Sequence, residues 1–535
     1  MYTGEKIFRC DSSSSSFYFL NDDELEYEKL IQEQIQPYFP KFAAAISQQS
    51  PAEREWGRCA AVDFASEASP HVTTFENSAD VQSYFTEALS TQASESPNSQ
   101  PRRRLFILED LPCNHILALG SRLRIPPSFF AGHWDDPASS TFNHRNPFQR
   151  STKSKPQFRL RYATSNRFEV LGSAHTTGNV YGFNTNVCRY LHVYNPSGLL
   201  YDEPRSHHTM SFWSSPVRED GSWDAVLLVD PPLGTHVRCL PSRQLVPIRR
   251  QLANENSMPS HFLNPEFEAP EELPQDSSQW ADSYVLPEYK CIFDDTLHLL
   301  VSRNGPKATA IQTPMDAVEM PRKLVISTLT AFLRRRYLNL LNIQKITSST
   351  LRHNYMCSFS EGSLSSWHEE FFDFVVGACA AMKVFSEEIE DNVVALGLHA
   401  PDAVAAELAP RWEVDGWTSI RDLTRIVEGM TQSFSTGYLQ YISIQEARVS
   451  NSNAQSLSRI TVLTMLFIPL STVASIFSVG DDFLPGQPRA WVFWIVAIPV
   501  LMALVSLYWY RHLVSMLKKR KQGSSLLLFE LGKKT

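Results

Sequence analysis

No Cys-x-x-Cys pair occurs in this chain of 535 residues, although it holds 8 cysteines. Cys10, Cys59, Cys113, Cys188, Cys239, Cys291, Cys357 and Cys379 stand singly. That argues against a disulfide framework and a structural zinc site, and fits a reducing compartment. Cys113 and His115 are the one close pairing of ligand types, and no second pair answers them. The phosphate-loop pattern is missing: Gly305-Pro306-Lys307 comes nearest and lacks the first glycine at the required offset. His368-Glu369 opens like a zinc-protease motif, but Phe372 takes the place of the second histidine. No Gly-x-Ser-x-Gly elbow is present. Asp202, Glu203, His207 and His208 lie close together, yet no matching ligands follow at helical or hairpin spacing, so a solvated turn is expected there. The net charge of −8 gives no whole-chain attraction for nucleic acid. The opening MYTGEKIFRC carries charge and no apolar stretch, so no secretory leader is expected. The body therefore reads as non-enzymatic, with no cofactor site.

Charge is also missing from two long segments, and there its absence is informative. Ile460 to Val479 and Trp491 to Tyr510 are apolar runs of 20 residues each, joined by the loop GDDFLPGQPRA over 480–490. As helices each is about 30 Å long, the thickness of a bilayer's hydrocarbon core. Two such runs so close together read as a membrane hairpin. The tail after Tyr510 holds Arg511, Lys518, Lys519, Arg520, Lys521, Lys533 and Lys534, whereas the loop holds Asp481 and Asp482 against Arg489. The positive-inside rule then places the tail and the large body in the cytoplasm and the loop outside. The plasma membrane is favoured over vacuolar or mitochondrial membranes. Trp491 and Trp494 mark the outer interface, and Tyr508, Trp509 and Tyr510 the inner one. Pro469 and Pro499 lie mid-span, as kinks in a packed bundle would. Ser471, Ser475 and Ser478 share one helical face, which fits either close helix packing or a polar strip along a watery path.

Residues 1–100 read as an N-terminal extension, with a serine tract at 11–16, a charged helix over 22–34, and strands at 58–64 and 71–75. Its Ser/Gln/Asn-rich stretch at 90–100 reads as a disordered connector. Residues 101–320 read as an α/β domain. A strand at 105–108 precedes two helices within NHILALGSRLRIPPSFFAGHW, and further strands are expected at 158–162, 187–194, 225–229 and 237–239. The Pro- and acid-rich 253–279 reads as a surface excursion. Residues 321–459 turn helical, with helices expected at 323–346 (Arg334, Arg335 and Arg336 on its exposed side) and 364–396. A third starts near Thr418 and runs unbroken into the first apolar run. Leu423, Val427, Met430, Phe434, Tyr441 and Ile444 give that helix a coiled-coil-like seam. The spans occupy 460–479 and 491–510, and 511–535 is the basic tail.

The segment SLSRITVLTMLFIPLSTVASIFSVGDDF, with its Ile468-Pro469-Leu470-Ser471 centre, resembles the first membrane helix of the CorA family of magnesium channels. The second run and the basic tail follow in the family's order. RRRLFILEDLPCNHILALGSRLRIPPSFFAGHW is similar to the cytosolic domain of its divergent fungal members. The resemblance implies an α+β cytosolic domain with long stalk helices, followed by a two-helix transmembrane hairpin, assembled as a funnel-shaped homopentamer in the lipid bilayer. It implies Mg2+ or another divalent cation as the transported ion, driven by membrane potential. On that template Ser471 supplies a polar ring, and Ile468, Ile460 and Leu457 form apolar constrictions. Ser478 and Gly480 line the outer end, and Asp481 and Asp482 ring the mouth as the metal-attracting residues. The family's Gly-Met-Asn falls on Ser478-Val479-Gly480, so the asparagine amide that holds a hydrated ion is missing. Three readings stay open: a channel, a non-conducting membrane-anchored sensor or scaffold of the same build, and, last in order, a membrane-tethered enzyme. Glu387, Glu388, Glu390 and Asp391 are possible contributors to a regulatory cation site, against the plainer reading of a solvated helix face.

Overall fold

The computed structural model describes residues 20–48, 55–64, 70–94, 101–135, 137, 157–165, 168–170, 180–192, 205–240, 244–250, 291–301, 310–356, 363–398, 410–478, 491–503, 505–506 and 509–510. The chain divides into two units, Met1–Ser435 and Thr436–Thr535.

The first unit is mixed α+β. Helix α1 (Asp22–Gln34) starts at a capping box in which the Asn21 side chain accepts from the Glu24 N–H and Glu24 accepts from the Asn21 N–H. It leads to α2 (Pro40–Gln48), then β1 (Arg58–Asp63), β2 (His71–Phe75) and α3 (Ser78–Ser94). β3 (Arg103–Glu109) runs into α4 (Cys113–Leu123) and α5 (Pro127–Trp134), where Pro127 holds a position at which no N–H is needed. A long antiparallel stretch follows: β4 (Gln157–Ser165), β5 (Phe168–Val170), β6 (Val180–Phe183), β7 (Tyr190–His192), β8 (Arg205–Ser214), β9 (Trp223–Val229), β10 (His236–Cys239) and β11 (Leu245–Arg250). These strands form one 11-stranded sheet in the order β2-β1-β3-β9-β8-β7-β6-β10-β11-β5, with β4 also paired to β8. Only β3 and β9 run parallel among the described pairs.

The sheet is covered on both faces, and strand alternation decides which side chain goes where. Phe106 and Leu108 of β3, with Val226 and Leu228 of β9, join a core with α1 to α5. Leu105, Ile107, Ala225 and Leu227 point the other way. They meet α6 (Ile292–Val301), a short helix α7 (Pro314–Ala317), α8 (Glu319–Met356), α9 (Ser363–Ala395) and the start of α10 (Arg411–Phe477). Such double-sided burial explains why β3 and β9 read as unbroken apolar runs.

β4 has β8 on one side, and α9 covers its other edge at mid-strand. The Asn392 amide there stands in for a neighbouring strand: it accepts from the Arg161 N–H at 2.8 Å and donates to the Arg161 carbonyl at 2.7 Å. An edge that would otherwise be open to another chain is thereby closed.

Several expectations change. Residues 20–94, expected in a separate extension, supply β1, β2 and three helices to this same fold. Ser90 to Ser94 close α3 rather than opening a connector, and 95–100 lie outside the described residues, as do 253–279 and the serine tract. The strand expected over 187–194 begins only at Tyr190, as β7, because Val187 sits in a turn whose backbone is held by Asp110, and 193–194 lie outside the described residues. Arg336 is buried and only Arg334 of the basic triplet is fully exposed, since the triplet winds around α8 instead of lying on one side.

Candidate functional site

In the second unit α10 continues through the first apolar run to Phe477 without interruption, with Pro469 inside it. This helix is long and apolar enough to cross a membrane; its best window has a mean hydropathy of 2.1 and is 0% buried. The second run is helical over Trp491–Ala503 (α11), and helical positions recur at 505, 506, 509 and 510.

The two apolar helices have distinguishable faces. On α10, Met465, Pro469, Leu470, Val473 and Phe477 are half-buried, and on α11 Val492, Phe493, Ala497 and Leu501 are the covered positions. Phe477 meets Phe493 edge-to-face at 6.0 Å, which identifies these as the faces that touch. Leu457, Ile460, Ile468, Ser471 and Ser475 fall within an arc of about 80° at 3.6 residues per turn, on the opposite side of α10. All five are exposed. The hydroxyls of Thr461, Thr464 and Thr472 fold back onto the carbonyls of Leu457, Ile460 and Ile468 at 2.8 Å. The serine hydroxyls of Ser471 and Ser475 have no such bond among the described residues. Ser478 sits just past the helix end, exposed, while Gly480, Asp481 and Asp482 lie outside the described residues.

The first unit corrects the turn expected around His207 and His208, while Asp202 and Glu203 lie outside the described residues. Both histidines belong to β8, and His208 is buried. The alternating polar residues of RSHHTMSFWS hid a strand that is buried along nearly its whole length. β8 pairs with β9 over Met210 to Ser214 and with β7 at Arg205 and Ser206, which leaves a gap between the two pairings. Asp230, one residue past β9, fills the gap: its Oδ2 accepts from the Thr209 N–H at 2.9 Å. Arg189 grips the same carboxylate, and His133 and His208 each approach it at 3.2 Å. The other nitrogens of those rings meet Ser211 at 2.9 Å and Ser206 at 2.7 Å. Burial alone would raise the Asp230 carboxyl; the Arg189 charge and the hydrogen bonds override it and hold the group well below the usual range. Burial also lowers His133 to about 4, so this ring stays neutral at physiological pH. With both carboxylate oxygens engaged, the cluster is a joint between two halves of the sheet and leaves no lone pair for an ion.

Beside it, Arg58 lies between Glu109 and Asp294, at 2.8 Å and 2.7 Å, with Cys291 at 3.1 Å. Among the described residues no three His, Cys, Asp or Glu side chains could hold a metal ion together. The acidic group on α9 is divided in use. Glu388 is buried against His207 at 3.4 Å, Asp391 binds Arg161 at 2.6 Å, Glu390 binds Arg421, and Glu387 is exposed. A uniformly solvated face is therefore ruled out. Cys113 contacts the Ala45 carbonyl at 3.8 Å and His115 approaches Glu55 at 3.4 Å, so their sequence proximity makes no common site.

No family model matches the chain, and no curated protein matches it. Among solved structures, the chain is similar to one titled "structure of the full-length CmaX protein", with 10% identity and a TM-score of 0.33 over 85% of this chain and 97% of that one.

Proposed function

We propose that this protein is an integral membrane cation channel of CorA-like build, conducting Mg2+ or another divalent cation down the membrane potential. The observation that carries the reading is the uncovered stripe on α10. Its exposed Leu457, Ile460, Ile468, Ser471 and Ser475 point away from α11, toward whatever lies on the other side. Lipid is a poor partner for serine hydroxyls, whereas a water-filled axis shared by several copies satisfies them. Five copies would place the apolar side chains as constrictions and Ser471, Ser475 and Ser478 as polar rings. Asp481 and Asp482 would then concentrate cations at the outer mouth. In this arrangement α10 and α11 are the two spans, both termini are cytoplasmic, and the plasma membrane is the location.

The second reading is a non-conducting anchored sensor, favoured by Gly480, which offers a backbone carbonyl but no side-chain amide to the water shell of a hydrated ion. Purified protein in liposomes loaded with a magnesium-sensitive dye separates the two. Flux above that of empty liposomes at an imposed potential is expected. The double change Asp481→Asn with Asp482→Asn should slow it, most clearly at low ionic strength. An assembly of confirmed mass that passes no divalent ion would overturn the channel in favour of the sensor.

A further inference from the structure

Helix α9 reaches past the edge of β4 to β8. Asp391 and Asn392 hold Arg161 of β4, and one turn earlier Glu388 extends toward His207 of β8, which pairs with Ala163 of β4. Glu388 has 3% of its side chain exposed, and neither carboxylate oxygen has a hydrogen-bond partner among the described residues. Its Oε1 lies 3.4 Å from Nδ1 of His207. Among the described residues no arginine or lysine forms an ion pair with Glu388. Arg161 binds Asp391, Arg159 of β4 reaches Ser211, and Arg205 lies two residues before His207 on the same face of β8. His133 of α5 belongs, with Arg189 and His208, to the Asp230 cluster. From α8, Arg322 and Lys323 meet Glu413 and Glu319, and from α10 Arg421 meets Glu390. Glu387 is exposed. Two side chains do not make a metal site, and no third His, Cys, Asp or Glu joins them among the described residues.

A buried carboxylate without donors is costly, and a neutral imidazole does not offset that cost. A proton on His207 does, because it turns the contact into an ion pair in a poorly solvated place. We propose that Glu388 and His207 form a proton-dependent clasp between α9 and the sheet, closed while His207 carries a proton and loosened when that proton leaves for solvent. With 14% of its side chain exposed, His207 gives water a route to the pair. The closed form binds a proton that the loosened form gives up, so the hold on α9 weakens as pH rises. Asn392 and Asp391 fasten the next turn without that proton, which keeps the loosening local. Glu390 of the same helix binds Arg421, so the clasp also bears on the first part of α10. The inference stands whether or not the protein conducts ions.

The test follows amide hydrogen exchange over residues 384–395 in the full chain, in nanodiscs and EDTA. Each variant is compared with wild type at the same pH, so that intrinsic exchange rates cancel. The ratio of wild-type to Glu388→Gln exchange should rise about tenfold between about pH 6 and pH 8.5, the equivalent of one unit of proton linkage. The fixed cost of a buried amide drops out of that rise. His207→Gln, compared in the same way, should give the same rise, because only the complete pair closes on a proton. The double variant should then respond to pH as each single variant does. Residues 292–301, which carry Asp295, report any change in the fold as a whole and should match wild type. A ratio that stays level with pH for either single variant, or a rise matched over 292–301, overturns the clasp.

Discussion

At the scale of single residues, the first unit is governed by how it houses buried charge. Asp230 and Arg58 are each surrounded by opposite charge and hydrogen-bond partners. Asp295 on α6 is different: it is 0% exposed, and neither of its oxygens has a partner among the described residues. Burial, with Asp294 nearby, pushes its carboxyl up to about 8, against 3.8 for the free side chain. Between those values the unfolded chain is ionised there while the folded chain keeps its proton. Stability from this group is therefore complete below about pH 4 and is lost as pH rises through 8. Asp295→Asn should remove that loss, raising the melting temperature at pH 8.5 more than at pH 5. An equal shift at both pH values would show that the carboxyl is not held neutral. The serine-rich and histidine-bearing β8 teaches the same lesson from the other side. Its His208 and Ser211 are buried against partners contributed by distant segments, Asp230 and His133.

At the scale of elements, α9 acts as the surrogate neighbour of β4. The two Asn392–Arg161 bonds satisfy both backbone groups of one mid-strand residue, and Asp391 adds an ion pair to the same arginine. Asn392→Ala leaves a buried N–H and carbonyl unpaired, with an expected cost of about 2–3 kcal/mol. Thermal unfolding of the variant beside wild type measures it. A change within error would mean that water replaces the amide. Element identity was largely legible in the sequence: α1 by its charged run over 22–34, β3 and β9 by their apolar runs, and α5 by the prolines at 126 and 127. α2, α3, β5, β6, β8, β11, α6 and α7 were not. Their side chains gain burial only from remote partners, and local pattern does not record those.

At the scale of the whole molecule, the question is which way the stripe on α10 faces. If it lines an axis shared by several copies, Ser475→Cys places thiols of neighbouring copies within disulfide reach, while Val473→Cys, on the face toward α11, does not. Mild oxidation in membranes should give a ladder of covalent oligomers ending at five for Ser475→Cys, and none beyond wild type for Val473→Cys. A ladder from Val473→Cys alone would reverse the two faces and remove Ser471 and Ser475 from the axis.

The sequence by itself determined the apolar runs, the unbroken helix leading into the first of them, and the strands at the centre of the sheet. Length, charge and periodicity are local quantities, and each of these features is set by them. Only the tertiary structure decided that residues 20–94 share the sheet, and that His208 and Glu388 are buried rather than solvated. It also decided which face of α10 the second helix leaves uncovered. Those are statements about contact between distant segments, and a residue's environment there depends on what the rest of the chain brings to it.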